Sequence, residues 1–136
     1  MFTLAIISQK GGAGKTTLSV HLACYAEAQG YKTLLIDADI QQSAAKWYQS
    51  RKAKAPALVI STAEDMPELI AEAEQSSFDF VVIDTPPILA EDIQIACEHA
   101  DFILIPTRPS ILDLRAIADS AALAKASGIP TGIIIN

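Results

Sequence analysis

The chain has 136 residues, about half of them hydrophobic and 19% charged, with a formal net charge of −6 at pH 7. That length suits one globular domain spanning residues 1–136, and the composition excludes a disordered chain. The acidic balance argues against a strong nucleic-acid footprint on this segment, since such a footprint needs clustered Lys and Arg.

The elements alternate in type along the chain. An apolar strand is expected over about Phe2–Ser8, then a glycine-rich loop, then a helix from Lys15 or Thr16 to Gln29 stopped by Gly30. A strand at Lys32–Asp37 leads into a polar loop, and Ser43 is expected to cap a short helix running through Trp47 to Arg51. Arg51, Lys52 and Lys54 form a small basic turn that reads as solvated surface. Leu58–Ser61 is a short strand. Asp65 is expected to cap a helix with Pro67 in its first turn, ending near Gln75. Buried strands follow at Phe78–Ile83 and Phe102–Ile105, the second closed by Pro106, with a helix over Glu91–His99 between them. A helix from about Asp113 to Ser127 and a strand at Gly132–Ile135 complete the series. This alternation predicts an α/β fold, a mostly parallel sheet with helices on both faces.

Cys24 and Cys97 stand alone, without metal spacing or a disulfide framework, and read as buried free thiols in a reducing cytoplasm. The N-terminus lacks a basic leader and does not read as a signal peptide, and no apolar run approaches the ~18 residues of a membrane span, so no membrane partner is expected. His21 and His99 lack partners and read as structural. Trp47 is expected to pack its short helix on the sheet.

The stretch from Ser8 to Thr17, S-Q-K-G-G-A-G-K-T-T, organises the rest. Strand, glycine loop and helix form the layout a phosphate cradle needs. Gly11, Gly12 and Gly14 let backbone N–H groups turn inward, and the helix start adds unpaired N–H groups and its positive dipole end. Lys15 is placed to reach the β- and γ-phosphates, and the Thr16 hydroxyl to ligate Mg²⁺. The common phosphate-loop pattern is almost met, but Gln9 stands at its first glycine and Lys10 follows.

In an open parallel sheet, ligands bind beyond the carboxyl ends of the strands. The expected strand ends carry the glycine loop, then Asp37 and Asp39, then Asp84 after the apolar run Phe80–Ile83. Singly, each aspartate is an ordinary strand-terminal carboxylate. Together with a phosphate loop they read as a Mg-nucleotide site: Thr16 as the direct metal ligand, Asp37 and Asp84 holding metal-bound waters, and Asp39 orienting the attacking water.

The segment K-G-G-A-G-K-T resembles the deviant Walker A motif of the ParA/MinD superfamily of P-loop ATPases. Asp37-Ala38-Asp39-Ile40-Gln41 is similar to its switch I motif, with Ile40 in place of proline, and Asp84-Thr85-Pro86-Pro87 to its switch II motif. Thr107 to Leu114 resembles a segment of small plasmid-type ParA partition ATPases that lies near the nucleotide and the dimer interface. The resemblance implies an ATPase that dimerises on Mg-ATP and hydrolyses it slowly. Lys10 would reach the partner's phosphates in trans, beside Lys15 and Asp39 in catalysis, and Lys10, Gly11, Gly12, Ala13, Gly14, Lys15, Thr16 and Thr17 would cradle the nucleotide. Asn136 matches a family asparagine that contacts adenine; it also stands where a GTPase would begin its guanine motif, so residues alone leave ATP and GTP open, and ATP comes from the resemblance.

The resemblance further implies a centromere-binding ParB-like adaptor, nonspecific DNA binding mainly through a C-terminal part that family members carry beyond Asn136, and cytoplasmic or nucleoid localisation. Apolar surface meant for those further helices is expected to stand exposed. The function expected is plasmid or chromosome partition. A bacterial tyrosine autokinase-type domain and a MinD-like positioning ATPase are the alternatives; for the first, Tyr25, Tyr31 and Tyr48 do not form the tyrosine-rich tail such kinases carry. An electron-transfer ATPase is disfavoured because Cys24 and Cys97 lack glycine-rich settings.

Overall fold

The computed structural model describes residues 1–87 and 90–136. In chain order its elements are β1 (Phe2–Ile6), α1 (Lys15–Ala28), β2 (Thr33–Asp37), α2 (Ser43–Gln49), β3 (Ala57–Ile60), α3 (Met66–Gln75), β4 (Phe80–Asp84), α4 (Ala90–Glu98), β5 (Phe102–Thr107), α5 (Ile111–Ser127) and β6 (Thr131–Ile135). A helix between each pair of successive strands carries the chain back to the same end of the sheet, so every strand pairing is parallel. The strand order is β3-β2-β4-β1-β5-β6, which puts β1 and β4 at the centre.

Two-residue alternation along the strands builds two cores, one on each face. Leu4, Ile6, Leu35 and Val82 meet Val20 and Ala23 of α1 and Ala44 of α2, with Trp47 packed at the margin as expected. Ala5, Ile36, Val81 and Ile83 face the other way, against α3, α4 and α5. Cys97 is buried in this second core, while Cys24 is only half-buried, beside the Arg51 guanidinium. Gly30 and Gly128 take positive φ, 91° and 72°, and stop α1 and α5 as expected.

Several local expectations are corrected. Ser43 is the first residue of α2 rather than its cap; Gln42 holds that place in the left-handed region, and the Ala45 N–H donates to the Asp37 carboxylate instead. Asp65 has helical backbone angles and caps nothing with its side chain, which accepts from the Thr62 hydroxyl at 2.7 Å. Pro106 does not close β5, because the strand continues to Thr107 and Pro106 pairs with Ile134. Its missing N–H falls on the β1 side, where pairing has already ended at Leu104, so no ladder bond is lost. Helix α5 starts at Ile111, ahead of the expected Asp113, because Ser110 caps it by accepting from the Asp113 N–H at 3.1 Å. Ile133, Ile134 and Ile135 of the edge strand β6 are exposed.

Candidate nucleotide site

Between β1 and α1 the backbone bends through Gly12 and Gly14, at φ 76° and 94°. Both values lie in the left-handed region that favours glycine. The Ser8 hydroxyl pins the turn by accepting from the Lys10 N–H at 3.3 Å. Gly14 then stands as the cap of α1 and brings no side chain, and the first turn of α1 has no acidic residue. The first N–H groups of the helix therefore remain available to an anion. They open on a cavity of about 700 Å³ lined by Gly12, Gly14, Lys15, Thr16, Asp39 and Asn136, among others.

Lys15 is 7% exposed, and its Nζ donates to the Ser8 carbonyl at 3.2 Å. Burial lowers its pKa below the ordinary lysine value, against the opposing charges of Asp84 and Asp39. An anion at the loop would favour the charged form.

The sheet sets the carboxylates. β2 and β4 pair in a register that places Asp37 directly opposite Asp84, the last residue of each strand. Both are fully buried. The Asp37 carboxylate accepts from the N–H groups of Asp39 at 3.2 Å and Ala45 at 2.9 Å, so it orders the loop after β2 and the start of α2. Burial still raises its pKa. Asp84 Oδ1 accepts from the Ser19 hydroxyl at 3.1 Å, whereas Oδ2 is buried with no hydrogen-bond partner among the described residues. Burial lifts the Asp84 pKa to about 6; the Thr16 and Ser19 hydroxyls and Lys15 oppose that rise and the Asp37 charge adds to it.

An orphaned, buried carboxylate oxygen near the Thr16 hydroxyl fits a hard divalent cation, whose oxygen ligands are of this kind. Thr16 suits that role directly, and the unpartnered Asp84 oxygen suits direct contact rather than the water-mediated one expected from the sequence. Asp37 has both oxygens engaged by backbone, yet keeps lone pairs for a metal-bound water. Asp39 is half-buried, accepts from the Gln41 N–H at 2.8 Å and lines the cavity.

Asn136 reaches the loop from the end of β6: its N–H donates to the Thr107 carbonyl at 2.7 Å, and a Cβ on Gly14 would stand 2.5 Å from its Nδ2. Lys10 is not part of the cavity. It occupies a small neighbouring crevice with Ser8, Ile117 and Ser120, where its ammonium pairs with the Asp113 carboxylate. Asp113 is the residue that sequence reasoning missed. Its signal was the cap pattern Ser110-x-x-Asp113, which marks a helix start with an acid in the first turn. The Lys10 ammonium and the Ser110 hydroxyl hold the Asp113 carboxyl below the ordinary carboxylate range.

Residues 4–136 match the family model described as the CobQ/CobB/MinD/ParA nucleotide binding domain. The chain is 40% identical over 120 residues to "Maintenance of carboxysome distribution protein A" of Halothiobacillus neapolitanus, a match covering 85% of this chain and 54% of that protein. It is 27% identical over 125 residues to "Protein ParA" of Rhizobium radiobacter, covering 90% of this chain and 56% of that protein. The chain thus spans about half the length of the curated relatives it matches. Its fold is that of the septum site-determining protein MinD from Pyrococcus horikoshii, solved with Mg-ADP: TM-score 0.79 at 21% identity, covering 99% of this chain and 70% of that one.

Proposed function

This chain belongs to the CobQ/CobB/MinD/ParA nucleotide-binding family, and from that premise we propose that it is the nucleotide-binding part of a ParA-type ATPase that dimerises on Mg-ATP and positions a large cellular cargo. The observation that carries the reading is the glycine loop set against the paired Asp37 and Asp84, with a buried Asp84 oxygen that has no hydrogen-bond partner among the described residues.

In this reading the N–H groups of the loop and of the first turn of α1 bind the phosphates, and Lys15 neutralises the terminal ones. Thr16, Asp84 and, through water, Asp37 hold the magnesium ion, which when bound offsets phosphate charge. Asp39, at the cavity wall, orients the attacking water and takes up its proton. Asn136 borders the cavity, where it can meet the base. Lys10 leaves Asp113 to reach the nucleotide of the second subunit, so that binding and dimerisation become one event. Hydrolysis is slow in the isolated protein and is stimulated by a partner of the ParB kind together with DNA. No helix among the described residues is long and apolar enough to cross a membrane.

The cargo expected from the sequence is a plasmid or chromosome. The 40% identity to a carboxysome distribution protein favours a second cargo, a protein compartment, served by the same cycle. The first experiment is solution mass with and without Mg-ATP for the wild type, Lys10→Ala and Lys15→Ala. A dimer that needs ATP and both lysines supports the reading. A protein that binds ATP but stays monomeric and hydrolyses it fast without a partner contradicts it. Phosphotyrosine on the protein after incubation with ATP favours an autokinase instead.

A further inference from the structure

The cation that overhangs the glycine loop from within the same chain is Arg108. It lies in the short connection between β5 and α5, and its side chain is exposed. Its Nη2 stands 3.5 Å from where a Cβ on Gly12 would be, and it lines the 700 Å³ cavity together with Lys15. Lys10, by contrast, is held in the separate crevice by Asp113.

The backbone beneath Arg108 is fixed while its guanidinium is not. Thr107 is buried and its carbonyl is held by the Asn136 N–H. Pro109 restricts the next φ, and Ser110 is committed to capping α5. The Arg108 guanidinium makes no hydrogen bond or ion pair among the described residues. A planar fork of donors on a fixed stem, facing a phosphate loop, has the geometry for bidentate recognition of phosphate oxygens. Charge points the same way: a nucleoside triphosphate brings more negative charge into a cavity whose wall already carries Asp39 than Lys15 and one magnesium ion together offset.

We propose that Arg108 is a second cis cation of the site, binding the phosphate chain of the nucleotide held by its own subunit over Gly12. The assignment rests on the nucleotide reading above. It gives each subunit two phosphate-binding cations of its own, Lys15 from below the loop and Arg108 from above, independently of the Lys10 of a second subunit.

The test is the affinity of the monomeric protein for Mg-ATP and Mg-ADP, and for magnesium pyrophosphate by competition, in the wild type, Arg108→Ala and Arg108→Lys. In Arg108→Ala the dissociation constants for ATP and ADP rise about tenfold, the scale of a lost charge-assisted pair. The loss carries over to pyrophosphate, which has no nucleoside, and Arg108→Lys recovers part of it. Arg108→Ala binding ATP and ADP within twofold of the wild type overturns the assignment while the nucleotide reading stands. A loss for ATP and ADP with none for pyrophosphate also overturns it, by moving the guanidinium to the nucleoside. A wild type that binds neither nucleotide overturns the nucleotide reading and this inference with it.

Discussion

Lys10 and Asp113, 103 positions apart in the chain, meet as an ion pair that joins the glycine loop to the first turn of α5. The lysine that the proposed dimer needs in trans is engaged in cis in this single chain. Breaking that pair belongs to the cost of dimerisation. Asp113→Asn keeps the size of the side chain and removes its charge, so the ATP-dependent dimer is expected to tighten about fivefold, the scale of one partly exposed pair. Lys10→Ala abolishes the gain. Sedimentation with Mg-ATP of the two single variants and the double variant gives the coupling directly. A weaker dimer in Asp113→Asn means that the carboxylate also serves the dimer itself.

Asp84 gives the unliganded protein a pH-dependent stability. Its folded pKa, about 6, lies above the ordinary carboxylate value of 3.8. The folded state therefore binds the proton more tightly than the unfolded one. The resulting penalty is fully present above about pH 6, shrinks as the pH falls, and is gone below about 4. Its full size is on the order of 3 kcal/mol. Asp84→Asn should thus be more stable than the wild type at pH 7.5 without nucleotide, by an amount that falls steadily between pH 6 and pH 4. Chemical denaturation across that range measures it. A difference that does not change with pH contradicts the assignment of the shift to Asp84.

Magnesium affinity has the opposite pH sense, because a cation needs the ionised carboxylate. Binding of the Mg-nucleotide complex should weaken as the pH drops through about 6. Titration calorimetry at pH 7.5 and pH 5.5 tests this, and nucleotide binding with excess chelator should lose most of the difference.

Gly14→Ala should fail at both folding and binding. The residue sits at φ 94°, and an added Cβ would stand 2.5 Å from Asn136 Nδ2. The backbone strain alone costs roughly 1–3 kcal/mol, visible as a lowered denaturation midpoint. The Asn136 side chain must also move away from the loop. Nucleotide affinity should fall more than stability does, and Asn136→Ala in the same background should recover only the part of the stability loss that comes from the clash, and none of the affinity.

Asp39→Ala should separate binding from hydrolysis. Asp39 lines the cavity, and among the described residues it has no buried, unpartnered atom and its carboxylate is tied only to the Gln41 N–H. The variant is expected to bind ATP within a few-fold of the wild type and to lose about 100-fold or more in turnover. An unchanged turnover removes Asp39 from the proposed chemistry.

The architecture and the phosphate cradle were legible because their signals are local. Alternating apolar strands and glycine-stopped helices forecast the parallel sheet, and K-G-G-A-G-K-T placed the cradle between β1 and α1. The side-by-side placement of Asp37 and Asp84 was not legible, since it depends on the register of β2 against β4. The same holds for Lys10, whose partner is supplied by tertiary packing across 103 positions. Ser43 shows the failure in miniature: a good capping residue was displaced because the Asp37 carboxylate, from another element, reached the helix start first. Pro106 misled for a related reason, because a proline stops a strand only on a side where a neighbour needs its N–H.

Thr85 follows Asp84 and is fully buried, and its hydroxyl donates to the Ile6 carbonyl at 2.9 Å. That bond fastens the root of the D-T-P-P segment to the last residue of β1, the strand that launches the glycine loop. The glycine loop and the D-T-P-P segment thus share one anchorage. In the proposed cycle, a shift at the phosphates would reach both through the same rivet. Thr85→Val, which keeps the shape and removes the donor, would loosen that rivet.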